Sequence, residues 1–196
     1  YQALVGRLQG APGVVNVMPY IEGQVMASAN GAAAGALVRG VMPEDLQRRA
    51  AIADNMRAGS ISALAQPGTA LIGSRMAARM GLLPGSQLTL ISPKGAATAF
   101  GSVPRVKTFT VGGIFEIGMF EYDSSFVFIP LGDAQAYFQL PDRVNAVEIS
   151  VTDPERIGRY RAELVARTEG VGRLVDWQQL NSHFFAALQV ERNVMF

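Results

Sequence analysis

The chain has 196 residues, 49% of them hydrophobic and 17% charged, with a net charge of +1 and no cysteine. That length can bury one sizeable core or two small ones. The scattered, nearly balanced charge argues against a nucleic-acid partner, and the absence of cysteine excludes disulfides, thiolate metal sites and thiol catalysis.

Residues 1–10 predict a short helix with Leu4, Val5 and Leu8 on one face, ended by Pro12-Gly13. Val14, Val15, Val17 and Met18 form a β-rich run closed by Pro19. Gln24 to Ala29 and Ala33 to Arg39 flank Asn30-Gly31, a pair that tolerates the positive φ of a type I′ turn, so a hairpin is expected. Leu37 to Val41 continues as strand up to Met42-Pro43. Residues 44–66 predict short helices or turns around Leu46, Ile52, Met56 and Ile61.

Leu71-Ile72-Gly73 reads as a short buried strand, with Ser74 capping a helix that Gly81 ends. Gln87 to Ile91 and Val106 to Phe115 read as strands. The connection between them, from Ser92-Pro93 to Val106, is far longer than a tight hairpin requires. Gly112-Gly113 marks a bulge or a close backbone approach rather than a phosphate cradle, since no Walker Lys-Ser/Thr follows. Ser125 to Ile129 is a strand, and Pro130 to Phe138 a helix with Leu131, Ala134 and Phe138 on one face.

Ala146 to Val151 alternates cleanly as a strand. Asp153-Pro154 marks the next helix start, with Ile157, Tyr160, Leu164 and Val165 as its stripe and Gly170 at its end. Val171 to Val175 predicts a short strand, and Asp176 the cap of a last helix striped by Trp177, Leu180, Phe184 and Leu188. This mixed order of strands and helices gives an α+β class. Strand–helix units at both ends around a mainly β middle suggest a discontinuous outer domain with an inserted one; a single mixed sheet is the simpler alternative.

No catalytic constellation stands out. His183 is the only histidine, beside Phe184 and Phe185, which cannot share one helix face. Glu116, Glu121 and Asp123 lie close in sequence without the dense spacing of a calcium loop, and read as solvated loop acids. No metal or cofactor is implied. Met119, Phe120 and Tyr122 place apolar side chains on a loop, either covering the core or meeting a greasy ligand. The long connection carries Lys94, Phe100, Pro104, Arg105 and Lys107, a set that would suit a partner with an acidic rim and an apolar groove. A surface loop with no role is the alternative.

No stretch reaches the roughly 18 apolar residues of a membrane span. Both ends interrupt an apolar pattern, at Tyr1-Gln2-Ala3-Leu4-Val5 and at Asn193-Val194-Met195-Phe196, so a piece of a longer protein is expected.

Taken in order, Ala36–Val41, Gly81 to Gly85, Ser92-Pro93, Pro104 to Phe109, Gly118-Met119, Glu121-Tyr122-Asp123 and Asp176-Trp177 through Asn181, Phe184-Phe185, Leu188, Glu191-Arg192 and Met195 resemble the periplasmic domain of the LolC/LolE family. These are membrane subunits of the ABC transporter that releases lipoproteins, and MacB-type transporters carry similar domains. The resemblance covers nearly the whole chain.

It implies a two-lobed, non-enzymatic domain of an inner-membrane protein. One α+β (Porter-like) lobe would span 1–45 plus 144–196. A β-rich (Sabre-like) lobe would span 46–143 and carry a protruding hairpin at 93–106. It also implies flanking membrane helices, a separate LolD-like ATPase, a partner permease subunit, a lipoprotein substrate and the periplasmic chaperone LolA. In LolC-type members the hairpin hooks LolA above basic residues. Here Lys107 matches one basic position, while the others fall on Thr89 and Val106. Met119 to Asp123 is closer to the non-LolC pattern, in which the domain helps to receive lipoprotein, and a combined subunit is a third option. A MacB-like efflux domain that docks an adaptor is the alternative reading.

Overall fold

In a computed structural model, residues 1–98 and 101–180 are described. In chain order the elements are α1 (Gln2–Gln9), β1 (Val14–Ala29), β2 (Ala32–Val41), α2 (Pro43–Gln47), α3 (Ala50–Ala53), β3 (Met56–Gly59), β4 (Thr69–Gly73), α4 (Ser74–Met80), β5 (Gln87–Thr98), β6 (Gly101–Phe115), α5 (Phe120–Ser125), β7 (Phe126–Pro130), α6 (Leu131–Phe138), β8 (Ala146–Val151), α7 (Gly158–Thr168) and α8 (Trp177–Leu180). None of the described helices is long and apolar enough to cross a membrane.

The chain divides into two compact units. One is Met18–Glu148 with Tyr1, and the other is Gln2–Val17 with Ile149–Phe196. The division implied by the resemblance placed 18–45 and 144–148 with the chain ends. Contacts instead group β2, and β1 from Met18 onward, with the larger unit, because the β1–β2 hairpin pairs with strands of the middle segment.

Six strands of the larger unit close into a ring, β1-β2-β7-β4-β6-β5 and back to β1, and β3 adds to β6. Asn30 and Gly31 both have positive φ, as a type I′ turn demands, and Ala29 sits opposite Ala32. The tip then does a second job: Asn30 Nδ2 donates to the Met80 carbonyl at 2.8 Å, satisfying an otherwise orphaned end of α4. Pro19 does not close a strand. β1 runs through it without a break.

β4 and β7 are buried on both faces, which explains their continuous apolar runs. Ala70, Ile72, Val127 and Ile129 join a core with Phe109, Met76 of α4 and Leu131 and Ala134 of α6. Leu71, Phe126 and Phe128 face a second core with Leu46, Ile52 and Leu64. Gly112 is the extra residue where Ala70 pairs with Val111 but Leu71 with Gly113. A Cβ on it would lie 2.5 Å from Ala63 Cβ, so the bulge and the close approach are both present. Ser74 does not cap α4: Gly73 holds that position, and Gly81 ends the helix with φ of 62°.

In the smaller unit, Leu8 of α1 and Leu164 of α7 are buried. Thr152 donates its amide to Gly13 at 2.9 Å, and Gly13 leaves room for the Tyr160 ring, which a Cβ would meet at 2.2 Å. Asp153 makes no side-chain cap. A 3-10 turn over Pro154–Arg156 precedes α7, because the proline sets the first turn but leaves Asp153 turned towards Arg156 at 3.5 Å. Residues 171–175 are not a strand, having no partner strand among the described residues. Asp176 does cap α8, accepting the Gln179 amide at 2.9 Å. His183, Phe184, Phe185 and Leu188 lie outside the described residues.

Candidate functional site

The long connection is not a loop. β5 continues past Ser92-Pro93 to Thr98, and β6 begins at Gly101 rather than Val106, so the two form a ribbon that outruns the ring. Proline explains why local strand periodicity concealed this. The register slips between Ser92↔Arg105 and Ala96↔Val103, where Pro93 and Pro104 lie. A proline has no amide to give the ladder, so strands carrying one break register or bulge. Here β5 spends three residues against one on β6, and pairing then resumes through Thr98↔Gly101.

The base of the ribbon has two chemically different faces, set by the two-residue period of a strand. Arg105, Lys107 and Phe109 share the face turned to α6. Lys107 Nζ donates to Asp133 at 2.5 Å and lies 5.0 Å from the Phe109 ring centre. Asp133 also accepts the Gly68 amide at 2.7 Å. Arg105 donates to Gln139 Oε1 at 2.6 Å and to the Tyr137 carbonyl at 3.3 Å. Tyr137 returns a bond to the Arg105 carbonyl at 3.4 Å, and burial pushes its phenol up to about 12 although Arg105 pulls the other way. Both cations are thus held by the domain's own groups.

The opposite face is neutral. Met26, Ile91 and Val106 stand in register across β1, β5 and β6, and Val106 is 63% exposed. Beside them Thr89 and Thr108 share a hydrogen bond at 3.0 Å. Pro104 is exposed, and Val103 is 56% exposed. Lys94 belongs to β5; its side chain and Phe100 lie outside what the structure describes.

A second cluster surrounds α5: Met119 is the N-cap of this helix and Phe120 and Tyr122 lie within it, not on the loop expected from the sequence. Asp123 is buried, and its carboxylate accepts the amides of Ile117 at 2.9 Å and Gly118 at 3.1 Å. Gly118 has φ of 81°, so the chain turns sharply and presents Met119 and Phe120 at 56% and 68% exposure. Phe120 lies 5.0 Å below the Arg75 guanidinium and lines a groove of ≈ 590 Å³ with Gln24, Val25, Leu37 and Phe126. Tyr122 parts from its neighbours: it stacks on Phe126 at 4.0 Å and belongs to the second core. The three acids are not brought together as a site. Glu116 pairs with Arg57 at 2.7 Å and Glu121 is exposed, but Asp123 is not the solvated loop acid expected: it is buried in α5, where its carboxylate satisfies backbone amides.

Sequence reasoning missed one cluster. Arg39 pairs with Glu22 at 2.5 Å, lies 4.7 Å over the Tyr20 ring and approaches Glu148, which also pairs with Arg49. Burial and the like charge of Arg39 lower the pKa of Arg49. These residues are spread over more than a hundred positions, so no local pattern announces them.

No family model matches the chain. It is 29% identical over 187 residues to the lipoprotein-releasing system transmembrane protein LolC of Neisseria meningitidis serogroup B, covering 94% of this chain and 45% of that protein. It is 27% identical over 197 residues to the LolC protein of Xylella fastidiosa, covering 100% of this chain and 47% of that protein. The chain therefore spans about half the length of the curated relatives it matches.

Among solved structures, the extracellular domain of the noncanonic ABC-type transporter YknZ from Gram-positive bacteria superposes with a TM-score of 0.59 at 14% identity. That match covers 87% of this chain and 84% of that one. The periplasmic region of MacB from Actinobacillus actinomycetemcomitans gives 0.56 at 10% identity, covering 84% and 71%. In sequence the chain is LolC-like nearly throughout. In fold it matches these extracellular and periplasmic domains.

Proposed function

We propose that this LolC-like chain is the periplasmic domain of the membrane subunit of an inner-membrane ABC transporter that releases lipoproteins and hands them to the chaperone LolA. ATP hydrolysis falls to a separate LolD-like cytoplasmic subunit, and a partner permease completes the complex through membrane segments outside this chain. The observation that carries the reading is the β5–β6 ribbon, which runs beyond the ring in a chain that is LolC-like over 94% of its length. The ribbon docks the chaperone, with Lys94, Phe100, Pro104, Arg105 and Lys107 as its candidate residues.

Deleting residues 95–103 from the full-length subunit should abolish capture of LolA while the rest of the domain keeps its unfolding transition. Undiminished capture would reject ribbon docking.

A second role belongs to the start of helix α5, where exposed Phe120 borders the ≈ 590 Å³ groove. A lipid-modified substrate would find apolar surface there at Met119 and Phe120, with Tyr122 as supporting core. A photocrosslinker at position 120 in an active transporter should form an adduct with lipoprotein; none at full turnover would remove this helix start from substrate handling. The MacB likeness in fold keeps one alternative, a domain that docks an efflux adaptor. Preference for such an adaptor over LolA in a direct binding comparison would favour it.

A further inference from the structure

Side chains of β1, β2, β7 and β8 meet Arg49, at the start of α3, on one face of the β1–β2 hairpin. Glu22 and Arg39 stand opposite each other in the ladder and pair at 2.5 Å. The Arg39 guanidinium also lies over two rings, 4.7 Å from the centre of Tyr20 and 5.3 Å from that of Phe126. Its side chain is 13% exposed. An arginine with an acid and two rings around it is held from several sides. Asn145, just before β8, grips the β1 backbone: it donates to the Glu22 carbonyl at 2.7 Å and accepts the Glu22 amide at 2.8 Å.

Further along, Glu148 of β8 is held by charge. One carboxylate oxygen pairs with Arg49, and the other lies 3.9 Å from Arg39. Withdrawing Glu148 affects the two arginines unequally. Arg39 keeps Glu22 and its rings. Arg49 is left facing Arg39, and burial together with that like charge already lowers its pKa. The Arg49 side chain is 27% exposed, so it has a way out to water. The cluster therefore has two arrangements, with Glu148 between the arginines or with Arg49 turned to solvent. Glu148 is 38% exposed, and ion pairs open to solvent are weak, so passing from one arrangement to the other costs little. Glu148 is also the last residue of the larger unit, and the chain passes from it to Ile149 of the smaller one. A displacement carried back along β8 reaches Glu148 before the rest of the cluster.

We propose that Glu148 is a latch on the strand that leads out of the larger unit. Closed, it clips β8 to Arg49 and Arg39. Drawn away, it releases Arg49 to solvent and frees β8 from α3, while Glu22 keeps Arg39 on the Phe126 ring that stacks against Tyr122 of α5. The latch must open for lipoprotein to be released, so the inference rests on the proposed transporter function.

The test locks the latch reversibly in the assembled transporter. The full-length subunit carries Arg49→Cys and Glu148→Cys, joined by a reducible bis-methanethiosulfonate linker; this domain has no cysteine of its own. The control joins Arg57→Cys to Glu116→Cys, another ion-paired couple of the larger unit. Linking 49 to 148 should slow lipoprotein release about tenfold or more, and reduction should restore it. The linked control should release at the unlinked rate. In a second measurement, Glu148→Gln should speed hydrogen exchange at the Val147 and Ile149 amides about tenfold or more. Release from the linked transporter at the unlinked rate overturns the latch and leaves the transporter reading intact. Equal slowing in the control assigns the loss to stiffening of the whole unit and also overturns it. A 49–148 link that does not form in the resting transporter overturns the closed state, and unchanged exchange in Glu148→Gln overturns the hold on β8. No release from the unlinked wild-type transporter overturns the transporter reading and the latch with it.

Discussion

Asp133 on α6 and Lys107 on β6 meet at 2.5 Å, and the same carboxylate accepts the Gly68 amide. One side chain therefore ties the ribbon strand to a helix and to the turn before β4. Asp133 is nearly buried and Lys107 about one-third exposed, so solvent screens part of the attraction. Asp133→Asn, which keeps an acceptor for Gly68, should cost about 1 kcal/mol, and Asp133→Ala about 2 kcal/mol. Urea unfolding measures both; equal costs would show that the ion pair contributes nothing beyond the hydrogen bond.

Asp123 supports the exposed Met119-Phe120 pair through two backbone bonds. Asp123→Ala leaves both amides without that acceptor and should cost about 2–3 kcal/mol. Fast exchange at the Ile117 and Gly118 amides should accompany it. A loss below about 0.5 kcal/mol would mean that the loop is held by other contacts.

Gly40 is where α6 rests on β2. A Cβ there would lie 2.0 Å from Ala134 Cβ, so Gly40→Ala must push the helix outward, at about 1–3 kcal/mol. The displaced helix carries Asp133, so the Lys107 pair should loosen with it. Gly35→Ala on the same strand meets nothing within 4 Å and should stay within about 0.5 kcal/mol of the parent. The two unfolding midpoints decide the comparison.

Tyr137 makes stability fall in alkali. Its phenol ionises near 10.0 in the unfolded chain and about 12 in the folded one, because burial disfavours the anion. The contribution is whole below pH 10 and is lost as pH rises towards 12, where the unfolded state has already released its proton. Tyr137→Phe should flatten that slope in chemical unfolding at a series of pH values. An unchanged slope would assign the alkaline loss to other groups.

The sites were unevenly legible. Met119 and Phe120 could be found because Gly118 and a run of apolar residues outside a strand pattern are local signals. Tyr122 carries the same local signal, yet it stacks on Phe126, and only packing separates it from its neighbours. Arg105 and Lys107 were readable as cations on an unusual connection, but their partners on α6 and at its C-cap are 26 to 34 residues away.

Local chemistry alone determined the α+β class, the Asn30-Gly31 turn, the Gly81 helix end and the Gly112 bulge. The class follows from the order of strand and helix patterns, and the other three depend on the φ range or missing Cβ of a residue at that position. Only the tertiary structure decided that β1 and β2 close a ring with β4 to β7, that Pro93 and Pro104 slip a ribbon rather than end it, and that its base cations face inward. A period of two shows that a strand has two faces; which face is covered depends on what the rest of the chain lays against it.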